Sequence, residues 1–103
     1  MNGSPEKLGD LHDAALVGIE FDWPSRSCLF HFRGAPAASL HSGFSMVFQG
    51  VTRLTATAGH AWGTSNAVLE LRLREPGEYT FVMQSGDEIV VSSRKGAIQH
   101  APA

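Results

Sequence analysis

Residues 79–91 read YTFVMQSGDEIVV, two largely apolar segments separated by the polar residues 84–88. Residues that face each other across paired strands must share one face of the sheet. A three-residue loop over 84–86 meets this condition, because it places apolar residues opposite each other: Phe81 with Ile89, and Tyr79 with Val91. It also puts Gly86 at the left-handed position of a type I turn with a bulge, where glycine is favoured. The stretch therefore predicts an antiparallel β-hairpin with one buried face.

The same test predicts two more hairpins upstream. A five-residue loop over 74–78, around Pro76-Gly77, pairs Leu73 with Tyr79 and Leu71 with Phe81. A four-residue loop over 24–27 pairs the apolar residues of the first two predicted strands: Trp23 with Cys28, Phe21 with Phe30, and Ile19 with Phe32. Three hairpins thus agree on a single core, and such internal consistency is typical of foldable sequences.

Alternation of apolar and polar residues extends this pattern through most of the chain. The predicted inner faces carry Val17, Ile19, Phe21, Trp23, Cys28, Phe30, Phe32, Phe44, Met46, Phe48, Leu69, Leu71 and Leu73. Residues 51–57 are rich in β-branched side chains and indicate a further strand. We predict an all-β fold, an antiparallel meander of about seven strands that forms a barrel or a two-sheet sandwich. The pattern leaves that choice open, because both architectures bury the same alternating faces.

Length and composition indicate one domain. The 103 residues are 43% hydrophobic and 17% charged, as in ordinary globular domains. Residues 1–9 are polar and contain Gly and Pro, so we expect a flexible leader. Residues 10–94 form the predicted β domain, and residues 95–103 lack periodicity and are expected to be a flexible tail.

Charge and cysteine content narrow the classes of partner. The net charge is −2 and the eight basic residues are scattered, so we expect no nucleic-acid partner. No basic amphipathic segment or long apolar run indicates a membrane partner. Cys28 is the single cysteine, which excludes an internal disulfide, and no secretory signal opens the chain. A cytoplasmic location is the expectation.

Motifs for catalysis are missing from the sequence. No zinc-ligand spacing connects the five histidines, which are His12, His31, His41, His60 and His100. The chain has neither a G-x-S-x-G nucleophile elbow nor a phosphate-binding loop. We therefore expect no catalytic residue, no metal and no cofactor.

His12-Asp13 has two interpretations. The pair is similar to the metal-binding His-Asp pair of helical phosphohydrolases, but that site needs histidines from several helices. The simpler interpretation is that Asp13 hydrogen-bonds backbone groups in a turn before the first strand. His31 is expected to be exposed and solvated.

Residues 59–66, GHAWGTSN, place a tryptophan in a segment that reads as a loop. One interpretation is that Trp62 folds back and closes one end of the barrel, with His60 at the rim. The other is that Trp62 is an exposed anchor for a protein partner, since tryptophan is enriched in interface hot spots. We prefer the first, and both hold if one face of the ring is buried.

Four stretches occur in an order that resembles a group of small uncharacterised bacterial proteins: LHDAALVGIEFDW (11–23), FQGVTRL (48–54), AWGTSN (61–66) and MQSGDEIVVSS (83–93). That group is similar to immunity proteins of bacterial polymorphic toxin systems, among them the immunity protein 50 family. The resemblance implies a small bacterial β-protein and carries over no catalytic residue. Ala61 and Thr64 stand where proline is common in the group.

These observations favour a non-enzymatic protein-binding or immunity-like factor, with a toxin or other protein as its partner. The alternative is a small-molecule binder or enzyme whose site lies near His12, Asp13, His60 and Trp62. A third hypothesis is a homo-oligomer that pairs exposed strand edges.

Overall fold

The computed structural model describes residues 11–34, 43–74 and 77–100, and no α-helix lies among them. Eight strands follow each other in these described ranges: β1 (Ala15–Asp22), β2 (Ser27–Arg33), β3 (Phe44–Gln49), β4 (Arg53–Ala56), β5 (Val68–Arg74), β6 (Glu78–Met83), β7 (Glu88–Ser92) and β8 (Lys95–His100). Within the described residues, no helix has the length and apolar character that crossing a membrane takes.

The strands form two four-stranded sheets, and all hydrogen-bonded neighbours are antiparallel. The first sheet has the order β1-β2-β3-β8, and the second has the order β4-β7-β6-β5. The predicted all-β antiparallel fold is confirmed, and the architecture is the two-sheet sandwich rather than the barrel. The chain follows a meander through β1–β3 and β5–β7, whereas β4 and β8 each join the other sheet.

Two bent strand pairs connect the sheets at a corner. β3 continues through residues 50–52 into β4, and β7 continues through residues 93–94 into β8. The two paths stay hydrogen-bonded across the bend, where the Arg94 N–H donates to the Gln49 carbonyl at 3.1 Å. Three residues face two at this point, as in a bulge, and strands that change sheets through a bend build the corners of such sandwiches.

A second junction, which we call the seam, joins the edge strands β1 and β5. Its main-chain contacts among the described residues are the bridge between Ala15 and Ala67 and three backbone hydrogen bonds: Asp13 N–H to the Val68 carbonyl (2.8 Å), Val68 N–H to the Ala14 carbonyl (2.8 Å) and Leu16 N–H to the Asn66 carbonyl (2.7 Å). Elsewhere along their lengths, β1 and β5 are the outer strands of their own sheets.

Aromatic rings from both sheets form the centre of the core. Phe30 of β2 stacks on Phe81 of β6 with ring centroids 4.8 Å apart and planes 18° apart. Phe48 of β3 meets Phe30 edge-on at 5.4 Å. All three side chains are fully buried, as their alternation with polar residues predicted.

Two of the three predicted hairpins are confirmed in register. The β6–β7 pairing sets Phe81 opposite Ile89 and Tyr79 opposite Val91, and Gly86 has a φ of +91° in the loop. The β5–β6 pairing sets Leu73 opposite Tyr79 and Leu71 opposite Phe81. Pairing the apolar faces was therefore sufficient to place these turns.

The register predicted for the first hairpin is wrong by two residues. Phe21 lies opposite Cys28 and Ile19 opposite Phe30, because the four-residue turn is Trp23–Arg26 rather than 24–27. Trp23 consequently leaves the strand and is 67% exposed instead of buried. A slip of two residues keeps each remaining side chain on its predicted face.

Other residues predicted to be inside are exposed. Val17 and Leu69 are the extra residues of β-bulges in β1 and β5, and each bulge turns its residue outward. Ile19 and Leu73 lie opposite core residues but remain partly uncovered, because both belong to edge strands.

The predicted domain limits need one correction. Lys95–His100 forms β8 and pairs with β3, so this part of the chain is not a flexible tail. The predicted leader, residues 1–9, lies outside the described residues, as do residues 101–103 and His41.

Candidate functional site

The Trp62 loop, residues 57–66, connects β4 to β5 and lies against the β6–β7 turn. The Trp62 N–H donates to the Ser85 carbonyl at 2.8 Å. The indole packs over Gly86, since a methyl group placed there would lie 2.9 Å from ring atom Cδ2. Trp62 is nevertheless 69% exposed, so the prediction that it closes the end of a barrel is wrong.

Asp87 holds the Trp62 loop in place. Its carboxylate accepts hydrogen bonds from the Gly59 N–H (2.7 Å), the His60 N–H (3.2 Å), the Thr57 hydroxyl (3.0 Å) and the Ser85 hydroxyl (2.7 Å). The His60 ring adds Nδ1 at 3.3 Å. Because Asp87 is buried and has this many donors, it fixes the loop backbone on which Trp62 is mounted.

The same donors stabilise the charged form of Asp87. The Ser85 hydroxyl contributes most, followed by the Thr57 hydroxyl and the loop N–H groups, and they outweigh the opposing effect of burial. Together they lower the pKa of Asp87 from 3.8 to about 2. A carboxylate with so low a pKa and so many protein donors is suited to structural anchoring and is a poor general base at neutral pH.

The backbone of the loop bends sharply just before the tryptophan. His60 has a φ of +56°, which is uncommon for a residue other than glycine. Its carbonyl accepts a hydrogen bond from the Gly63 N–H at 3.0 Å, so residues 60–63 form a turn with Trp62 inside it. The hydrogen bonds from His60 to Asp87 compensate for this backbone conformation.

Asp13 reaches the same β6–β7 turn from the other side. The Gln84 side-chain amide donates to the Asp13 carboxylate and, at 3.3 Å, to the Val68 carbonyl. The Asp13 N–H donates to that carbonyl as well, at 2.8 Å. These contacts reach distant residues, not the nearby backbone groups that the sequence predicted as partners of the Asp13 side chain. His12 contacts Asp13 through Nδ1 at 3.3 Å.

The four predicted site residues therefore form two groups. His60 and Trp62 share one loop, His12 and Asp13 share another, and the β6–β7 turn lies between them. No contact joins the two groups directly among the described residues. Their arrangement provides an exposed surface with Trp62 on top of it.

His31 is partly exposed on the outer face of its sheet, as the sequence predicted, but its ring has two hydrogen-bond partners that the sequence did not predict. Its Nδ1 lies 2.9 Å from the Ser45 hydroxyl and its Nε2 lies 3.0 Å from the Glu20 carboxylate, across β1, β2 and β3. This Ser-His-Glu order is similar to that of hydrolytic triads. However, Ser45 lies inside β3, which is paired on both sides, so its strand offers no free N–H group for an oxyanion. The arrangement fits a polar network on a sheet face.

A groove of about 590 Å³ lies at the far end of β1, and the sequence did not predict it. It is lined by Phe21, Trp23, Arg26, Val51, Thr52, Arg53 and Leu54. The signal for it was Trp23-Pro24, since proline favours the second position of a turn and would have placed Trp23 outside the strand.

Within the described part of the chain, no cluster of three or more His, Cys, Asp or Glu side chains could hold a metal ion. No protein-family model, curated protein or solved structure matches this chain.

Proposed function

We propose that the protein is a non-enzymatic protein-binding factor that uses the Trp62 loop as its anchor, in the manner of an immunity protein. The observation that carries this proposal is the exposed Trp62 ring on a backbone held by a buried carboxylate. A toxin or another protein of the same cell is the proposed partner.

An exposed tryptophan supports binding for two physical reasons. Its ring can bury a large apolar area, which is why tryptophan is enriched among interface hot spots. The hydrogen bonds of Asp87 and the Ser85 carbonyl already hold the loop, so a partner does not have to order it on binding. The protein therefore presents Trp62 on a backbone that is already ordered.

The second candidate is a small-molecule site or enzyme built from His12, Asp13, His60 and Trp62. Its support is that both groups contact the β6–β7 turn. The separation of the two groups favours the binding function over the enzymatic one, because no direct contact joins His12 and Asp13 to His60 and Trp62 among the described residues.

The test is capture of the partner from the cell that encodes the protein, with Trp62→Ala as the variant. We expect the wild type to retain a partner that Trp62→Ala loses. Leu73→Ala is the control, since it truncates an apolar side chain that is 49% exposed on β5. A partner that binds Trp62→Ala as well as the wild type would refute the role of the loop.

Light scattering of the purified protein separates this function from self-association. A homo-oligomer that dissociates in Trp62→Ala would make a second copy the partner. We also propose a cytoplasmic location, supported by the single cysteine, Cys28, which is buried and unpaired.

A further inference from the structure

We infer that the groove at the end of β1 binds a small amphipathic carboxylic acid, with the acid group between Arg26 and Arg53 and the apolar part against Trp23 and Leu54. The groove shares no residue with the Trp62 loop. Its volume, about 590 Å³, is in the range of small-molecule sites.

The floor and wall of the groove are apolar. Val51 is buried, and Phe21 and Leu54 pack against the core with part of their surface open to the groove. The Trp23 ring stands beside them, meeting Phe21 edge-on with centroids 5.3 Å apart. These surfaces suit a phenyl ring or a branched aliphatic chain.

Two sets of hydrogen bonds hold the turn that carries Trp23 and Arg26. Asp22 accepts hydrogen bonds from the Ser25 N–H at 3.1 Å and from the Ser25 hydroxyl. The Arg26 carbonyl accepts the Val51 N–H at 2.9 Å, which ties the turn to the strand path entering β4. Arg26 itself has a φ of +55°. The groove wall is therefore formed before any ligand arrives.

Two guanidinium groups give the groove its charge. No carboxylate of the described residues forms an ion pair with Arg26 or Arg53. The nearest acid along the chain, Asp22, is hydrogen-bonded to Ser25 instead. The protein as a whole has a net charge of −2, so this cationic pair is a local feature.

Arg26 also forms a cation–π contact with the tryptophan, with Cζ 4.6 Å from the ring centroid. Such a contact keeps the guanidinium beside the apolar wall, and its N–H groups are the donors that an anion would need. A carboxylate on a short apolar stem matches both the charge and the apolar surface.

An added peptide strand fits less well. β4 has four residues, so its edge offers few backbone hydrogen bonds to an incoming strand. A compact acid that fills the groove needs none of them.

The experiment titrates the full-length protein with 4-phenylbutyrate and with the neutral 4-phenylbutanol, which differ at the charged group. Amide shifts of residues 51–54 in ¹H–¹⁵N spectra report binding. A ligand of this size is expected to bind weakly, with a Kd of roughly millimolar order. We expect the acid to bind at least about fivefold more tightly than the alcohol.

Variants assign the contacts. Arg53→Gln and Arg26→Gln should each weaken binding of the acid about three- to tenfold and leave the alcohol unaffected. Trp23→Ala should weaken the binding of both ligands. Arg33→Gln, an exposed arginine outside the groove, is the control and should change neither. The remaining amide shifts show whether each variant is folded.

Three results would overturn the inference. Equal affinity for the acid and the alcohol would show that the arginines do not bind the acid group. An effect of Arg33→Gln as large as that of Arg53→Gln would indicate diffuse charge attraction. Tighter binding of an acetylated, amidated Asp-Phe-Asp tripeptide at the same residues would make the groove a peptide site.

Discussion

Replacing Gly86 with alanine tests whether the Trp62 ring rests on the β6–β7 turn. Gly86 has a φ of +91°, and its missing side chain leaves the space that the indole occupies. The substitution adds a methyl group at that point and changes nothing in the hydrogen bonds of Asp87. It therefore displaces the ring while the loop backbone stays held.

The destabilisation expected for Gly86→Ala has two parts. A left-handed conformation costs an alanine roughly 1–2 kcal/mol relative to glycine. The new methyl would lie 2.9 Å from Cδ2 of Trp62, whereas carbon atoms in contact prefer about 3.5–4.0 Å. The ring must then retreat by roughly 0.6–1.1 Å. Because Trp62 is largely exposed, it retreats into solvent and adds little to the backbone cost.

Gly34→Ala is the matched control. Gly34 has a φ of +73° and no atom of the described residues within 4 Å of an added methyl, so it carries the backbone cost alone. We expect both variants to lose roughly 1–2 kcal/mol of unfolding free energy, measured by urea denaturation. That loss lowers Tm by roughly 4–16 °C. Only Gly86→Ala should weaken the near-ultraviolet circular dichroism of Trp62.

The spectroscopic measurement needs a Trp23→Phe background, because the chain has two tryptophans and both are exposed. An unchanged Trp62 signal in Gly86→Ala would mean that the ring does not lie on Gly86. A loss of stability larger than that of Gly34→Ala by more than about 2 kcal/mol would mean that the ring is clamped. Either result would refute the packing of a yielding, solvent-exposed indole against the turn.

Three further predictions concern the Asp87 carboxylate, the aromatic core and the Cys28 thiol. The low pKa of Asp87 in the folded state stabilises the protein above pH 3.8, and this contribution should be lost as the pH falls toward about 2. Urea denaturation across this range should show that the difference in unfolding free energy between wild type and Asp87→Asn disappears at the acid end. Phe81→Ala should cost roughly 3–5 kcal/mol of unfolding free energy, because it empties the centre of the ring cluster, whereas Leu73→Ala, on a half-exposed edge position, should stay within about 0.5 kcal/mol by the same measurement. Burial raises the pKa of the Cys28 thiol to about 11, so a thiol reagent at neutral pH should label it slowly until urea unfolds the chain; rapid labelling of the native protein would contradict its placement.

The sequence was sufficient where local chemistry and apolar pairing agreed. Gly86 marks its own turn, and only the three-residue loop places Phe81 opposite Ile89. In the first hairpin two registers keep the same residues inside, so apolar pairing alone could not choose between them. The choice is made by polar contacts, above all those of Asp22 with Ser25, and they placed Trp23 in the turn.

The candidate site was less predictable, because its contacts join distant parts of the chain. Asp87 belongs to the best-predicted hairpin, yet its donors Thr57, Gly59 and His60 lie 27–30 positions earlier. The bulges at Val17 and Leu69 had no signal in the alternation, which continues through both residues. Trp62 was recognised as unusual, but whether its ring was inside or outside depended on these long-range contacts.

The corner and the seam join the two sheets with unequal strength. At the corner, covalent chain crosses twice between the sheets, so separating them there requires unfolding of both strands. At the seam, a single bridge and a few backbone hydrogen bonds hold β1 to the start of β5. Local opening should therefore separate the two sheets on the seam side, while the corner keeps them joined. The Trp62 loop leads directly into that seam, so a partner bound to the indole would also stabilise the contact between β1 and β5.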